Sequence, residues 1–289
     1  MIFHAVPPRF ELTDLPSSPP STPNVFAGQA DYFSQTIFST ASVVPPYHTI
    51  STSLGPPIPA SPNTIVAPSS VQVAVLERYI PPASALEIRQ LFSPSGRSAL
   101  IDRMAELSPE RGSLVFVYPT RQGATTFKTA YLSRVTVPLL RYIVELHSLS
   151  YTVAEDLGAM PALDEMLSFA ELRARLVALC AAMSSPSSTT AGPSQYVLAH
   201  AQTGLASLDR KTWADWYLKQ EHVRCKKALD KYWGEGRRLS QVEGASAGSV
   251  LREFIAGVSR PGVGEVEVTG PGIEVGVFVV RRLPAGVQA

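Results

Sequence analysis

Cysteine is scarce in this 289-residue chain: Cys180 and Cys225 are the whole supply, far apart, each inside a helical pattern. Two thiols cannot build a disulfide framework, and without paired histidines or another thiol nearby neither suggests a zinc site. Charge is scarce as well, with 17% charged residues and a net charge of +1. No global field therefore draws the chain toward nucleic acid or an anionic membrane. No apolar run reaches the roughly 18 residues of a membrane span. The start, MIFHAVPPRF, lacks the long apolar stretch of a signal peptide. These absences imply an intracellular protein, nuclear or cytoplasmic, with no membrane partner.

Residues 1–68 contain no lysine, are dense in Ser and Thr, and hold about half of the 25 prolines. Such a segment buries too little apolar surface to offset its ordering entropy, and it reads as a disordered Pro/Ser/Thr-rich tail that can be removed without unfolding the rest. Within it, DYFSQTIF carries Tyr32, Phe33 and Phe38 as candidate anchors for a protein partner. Ser18, Thr22 and Ser61 each precede proline and are candidate phosphorylation sites.

What is present begins after the tail, and residues 69–289 read as one α/β domain. Leu114 to Thr120, LVFVYPT, is a continuous apolar run entered through the turn SPERG, and it reads as a buried central strand. A strand apolar on both faces belongs in a sheet covered on both sides. VQVAVLERYI (Val71 to Ile80) reads as a second buried strand, stopped by Pro81 and Pro82. Between the two, Ser84 with Glu87, then Ser98, open short helices, the second placing Leu100, Met104 and Leu107 on one face.

Further along, Phe127, Tyr131 and Leu132 have helical spacing, and Pro138 is placed to open a new helix. Ser168 with Glu171 is a capping box ahead of Leu172, Leu176, Leu179 and Met183, with Cys180 as a buried thiol beside that stripe. QYVLAH (Gln195 to His200) reads as a short strand. The longest helix, roughly Thr212 to Trp233, carries Trp213, Trp216 and Trp233 as core anchors. Flexible insertions are expected near 184–194 and 234–249. VEVTGPGIEVGVFVVRR (Val266 to Arg282) reads as a hairpin turning at Gly270, Pro271 and Gly272.

No site motif stands out. The first strand ends in Pro81 and Pro82 rather than in a glycine-rich loop, and Gly123 is a lone glycine, so nucleotide binding has no support. The five histidines, His4, His48, His147, His200 and His222, lack metal-ligand spacing, and no nucleophile elbow occurs. His200, following a strand, reads as a structural histidine more readily than as a site residue. Asp102 and Glu106 near Arg103, and Glu77 beside Arg78, read as solvated or paired charges. Lys219, Lys226, Lys227 and neighbouring arginines make the long helix locally basic, but Asp215, Glu221 and Asp230 dilute the patch, and amphipathic packing accounts for it better than nucleic-acid binding does.

The order VAVLERYIPP, helix, SPERGSLVFVYPT, helices, VEVTGPGIEVGVFVVRR resembles the C-terminal half of a class I S-adenosylmethionine-dependent methyltransferase, a Rossmann-like fold. The resemblance implies an α/β domain whose mostly parallel sheet is flanked by helices and closed by a C-terminal antiparallel hairpin. The family's cofactor half belongs before Val71, where the tail stands instead with Gly28 and Gly55 alone, so no cofactor-binding or catalytic residue carries over. The expected function is a non-enzymatic regulatory or protein-interaction protein that meets its partner through the tail. The alternatives are an S-adenosylmethionine-dependent methyltransferase with an unrecognised or partner-completed site and, more weakly, nucleic-acid binding through the helix of residues 210–238.

Overall fold

The computed structural model describes residues 3–4, 42–43, 68–94, 98–184, 194–236, 245–260 and 271–284. The candidate residues Ser18, Thr22, Ser61, Tyr32, Phe33 and Phe38 lie outside them. Two-residue strands β1 (Phe3–His4) and β2 (Ser42–Val43) pair in parallel. The domain is built on four further strands: β3 (Val73–Glu77), β4 (Ser113–Pro119), β5 (Ser194–Ala206) and β6 (Ile273–Pro284). They lie in the order β3-β4-β6-β5.

The architecture is α/β, but the sheet is mixed rather than mostly parallel. β3 and β4 are parallel, whereas β6 runs antiparallel to both β4 and β5. The second arm of the expected C-terminal hairpin is β6, and its first arm, Val266 to Thr269, lies outside the described residues. Val275 to Arg281 face β4 on one side, and the whole of Ile273–Pro284 faces β5 on the other. Both edges of β6 are thus occupied. β5 is also longer than QYVLAH, with a register shift between Leu198 and His200.

β4 is the central strand that its composition predicts, with Leu114, Phe116, Val117, Tyr118 and Pro119 buried. β3 is not its buried counterpart. It is an edge strand, and Val73 and Val75 are 65% and 57% exposed. The same run of β-branched residues suits either position, because local composition does not say whether a further strand or a helix arrives to cover it.

Each face of the sheet carries its own core. On one, α1 (Ala85–Leu91), α2 (Ala99–Glu106) and α6 (Phe169–Met183) pack with Leu114, Phe116, Phe278 and Val280. Ser84, Ser98 and Ser168 cap these helices, the last in a full capping box with Glu171, and Leu100, Met104 and Leu107 are completely buried. Arg282 closes this side: its Nη1 donates to Leu107 O at 2.6 Å and Ser69 Oγ at 2.8 Å, with the guanidinium 5.5 Å from the Tyr196 ring centre.

The other face holds α4 (Ser133–Leu146), α5 (Tyr151–Gly158), α7 (Arg210–Gly234) and α8 (Ala247–Ser259). Pro138 does not open a helix. α3 (Arg121–Thr126), a π-helical turn (Phe127–Leu132) and α4 follow without a break, and Pro138 sits inside α4 on its exposed side. There, water can serve the carbonyl that proline leaves without a helical donor. The expected break at 234–249 is shorter than its composition suggests, because Ser246 and Ser249 form a reciprocal cap that starts α8 at Ala247. Glu221 pairs with Arg224, which also donates to Leu157 O at 3.0 Å and so ties α7 to α5. His147 at the end of α4 meets Glu253 of α8 at 2.7 Å.

Candidate binding cleft

β3, β4 and β5 run in the same direction, since β6 is antiparallel to β4 and to β5 alike, and open α/β sheets bind ligands outside the carboxyl ends of such strands; the ends of β3 and β4 lie side by side. The end of β4 is filled by the protein itself. Thr120 caps α3 by accepting from Gly123 N at 3.1 Å, and its hydroxyl donates to Glu274 Oε1 at 2.5 Å. Gly123 is required there because a Cβ would come within 1.9 Å of Glu274 O. This lone glycine makes room for the β6 backbone and not for a phosphate, and the Glu274 carboxylate takes the place an anion would need.

The end of β3 is open. Glu77, Arg78, Tyr79 and Ile80 from the strand and Trp216, Lys219 and Gln220 from α7 line a cleft of about 650 Å³. Tyr79 and Trp216 stack with ring centres 6.0 Å apart and planes 14° from parallel. The Tyr79 hydroxyl donates to Glu77 Oε2 at 2.5 Å. That bond, then burial and the Glu77 charge, push the Tyr79 phenol up to about 12, so it stays a neutral donor across the physiological range.

The basic groups around the cleft are engaged. Arg78 donates through Nε to Ile80 O at 3.0 Å and through Nη1 to Glu87 Oε1 at 2.5 Å, and its Nη2 bonds Gln220 Oε1. Gln220 in turn donates to Pro81 O at 2.8 Å. Lys219 holds Asp215 one helical turn back at 2.8 Å. Glu77 and Arg78, adjacent in sequence, thus have different partners, Tyr79 for the first and Ile80, Glu87 and Gln220 for the second.

The cleft opens onto a face of the sheet that its helices cover only in part. Val73, Val75 and Glu77 share one side of β3. The register sets Val75 beside Val115, Val115 beside Val279, and Val279 beside His200. Val115 and Val279 are half-buried and His200 is exposed, whereas Val117, one step further along, is buried. Among the described residues, cover of this face therefore thins from Val117 to Val115, which still packs against the core of α4, α5, α7 and α8. The outer edge of β3 is open too: Gln72 O accepts from Ser113 N and Arg78 N donates to Val117 O, so by alternation the backbone groups of Val73, Val75 and Glu77 point away from β4. No strand pairs with that edge among the described residues.

The other residues named from sequence do not converge. His147 is buried against Glu253, His222 is exposed on α7, and His200 lies inside β5 rather than at its end. Glu106 is buried and paired with Arg103 at 2.5 Å. Among the described residues no three His, Cys, Asp or Glu side chains gather as a metal site, and no helix is long and apolar enough to cross a membrane. Trp213 is 3% exposed and meets Phe127 edge-on at 5.7 Å, Trp233 is half-buried, and Trp216 is 38% exposed.

The three tryptophans are thus not equivalent anchors. The signal for this was in the spacing: Trp213, Tyr217, Glu221, Cys225 and Leu229 recur every four residues and are all buried, which leaves Trp216 at the margin of the stripe. No protein-family model matches the chain, and no curated protein matches it in sequence.

Proposed function

We propose that this chain is a non-enzymatic protein-interaction module, built on an incomplete methyltransferase-like sheet whose open edge and half-covered face take up a partner protein. The observation that carries the reading is the pair Val73 and Val75, 65% and 57% exposed on an edge strand whose outer side no strand pairs among the described residues, and continuous with half-buried Val115 and Val279. An apolar sheet edge without a lysine, proline or bulge within it is a template for strand addition. A contiguous apolar patch of this kind marks an interaction surface.

The experiment is affinity capture from cells with the full chain and with a Val73→Lys/Val75→Lys variant. These are surface positions, so the variant is expected to melt as the wild type does and to lose specific partners. An identical captured set from both proteins refutes the reading.

One observation favours the methyltransferase alternative. A parallel strand pair followed by an antiparallel strand, with a cleft at the end of β3, agrees with the order of pieces in the resemblance. Calorimetry of the purified protein with S-adenosylmethionine separates the two. Micromolar binding overturns the interaction reading, and no heat leaves the enzyme reading without support.

A further inference from the structure

We propose that the cleft at the end of β3 is an anchor for a basic side chain, arginine or lysine, of a partner segment that adds to β3 as an extra strand. This rests on the interaction reading and names the chemistry of the partner.

The charge inventory of the cleft points to a cation. Arg78 has its guanidinium committed to Ile80, Glu87 and Gln220, and Lys219 is held by Asp215. Among the described residues Glu77 is the only carboxylate lining the cleft, and it accepts a single bond, from Tyr79. An ionised carboxylate has about four lone-pair sites, so most of its capacity is unspent. The stacked rings of Tyr79 and Trp216 line the same cleft, with Trp216 38% exposed. A guanidinium or ammonium can there combine a charge-assisted bond to Glu77 with contact to an aromatic face.

The spacing adds a second requirement. Val73, Val75 and Glu77 alternate on one side of β3, with their backbone N–H and C=O groups directed to the free edge. A strand paired to that edge places every second side chain on the same side, roughly 6.5–7 Å apart. Two apolar residues then lie beside Val73 and Val75, and the next same-side residue lies beside Glu77. The partner segment reads apolar-x-apolar-x-basic, or the reverse if it runs the other way.

The test is selection of a random peptide display library on the full chain, with the Glu77→Gln and Val75→Arg variants in parallel. The leading peptide is then synthesised with arginine and with citrulline, its neutral isostere. Expected is enrichment of the alternating pattern with one basic end. Glu77→Gln then weakens the arginine peptide by about tenfold or more, and the citrulline peptide binds wild type and Glu77→Gln alike. Enriched peptides without a basic residue, or equal binding by Glu77→Gln, overturn the anchor while the interaction reading stands. If nothing is enriched over the Val75→Arg protein, both fall together.

Discussion

Trp213 and Trp216 are three residues apart on α7, and truncating each to alanine is expected to give sharply different results. Trp213 is 3% exposed, among Phe127 and the core that α4, α5, α7 and α8 share. Removing its indole leaves a cavity bounded by elements that cannot all collapse inward, at a cost of about 3–5 kcal/mol. Trp216 is 38% exposed and touches Tyr79 at the rim of the cleft. Its loss forfeits an aromatic stack of about 0.5–1.5 kcal/mol. For a domain of this size each kcal/mol moves the melting midpoint by about 2–4 °C. Trp213→Ala should therefore lower the midpoint by roughly 6–20 °C, and Trp216→Ala by no more than about 6 °C.

Thermal unfolding followed by far-UV circular dichroism measures both. Tryptophan fluorescence supplies the control, since removing Trp216 deletes the most solvent-exposed emitter while the buried signal remains. Equal midpoints for the two variants would mean that α7 is turned about its axis relative to this description, and the reasoning about the cleft would go with it.

Val117→Asp places an unpaired carboxylate in the buried part of β4 and should abolish soluble folded protein, whereas Val75→Asp on the exposed edge should express and melt normally. Gly123→Ala drives a methyl to within 1.9 Å of Glu274 O and should lower the melting midpoint measurably, in contrast to Gly234→Ala, where nothing lies within 4 Å. Lys226→Ala/Lys227→Ala should leave stability nearly unchanged, since Lys226 pairs with Asp230 on the exposed side of α7; salt-dependent retention of wild type on single-stranded nucleic acid, lost in this variant, would revive the nucleic-acid reading. Burial pushes the Cys180 and Cys225 thiols up to about 11 from 9.0, so unfolding releases protons between those values and stability should fall as pH rises from 9 toward 11. Urea titrations across that range, with a Cys180→Ala/Cys225→Ala double variant showing a flatter profile, check the sign.

What the sequence determined by itself is local. Ser84, Ser98 and Ser168 start helices because a hydroxyl caps free backbone amides wherever a helix begins, and that chemistry is complete within four residues. The apolar run of β4 fixed a central strand, and helical spacing placed Leu100, Met104, Leu107, Leu172 and Leu176 in the core. α5 and α8 carry the same local signals: caps at Ser150 and Ser246, and in α8 the buried Val250, Leu251, Phe254 and Val258 at helical spacing.

Tertiary structure alone decided the rest. Whether β6 turns back in a hairpin or slots between β4 and β5 depends on which strands reach its two edges, and those lie on the order of a hundred residues away along the chain. Whether Val73 and Val75 are core or surface depends on what arrives beside β3, which their own side chains do not encode. The cleft joins Glu77 and Tyr79 to Trp216 across more than half the domain. Its chemistry comes from that meeting: a carboxylate that reads as a solvated charge in the sequence becomes the acceptor of the Tyr79 hydroxyl in a cleft shared with Trp216 once α7 packs against the end of β3.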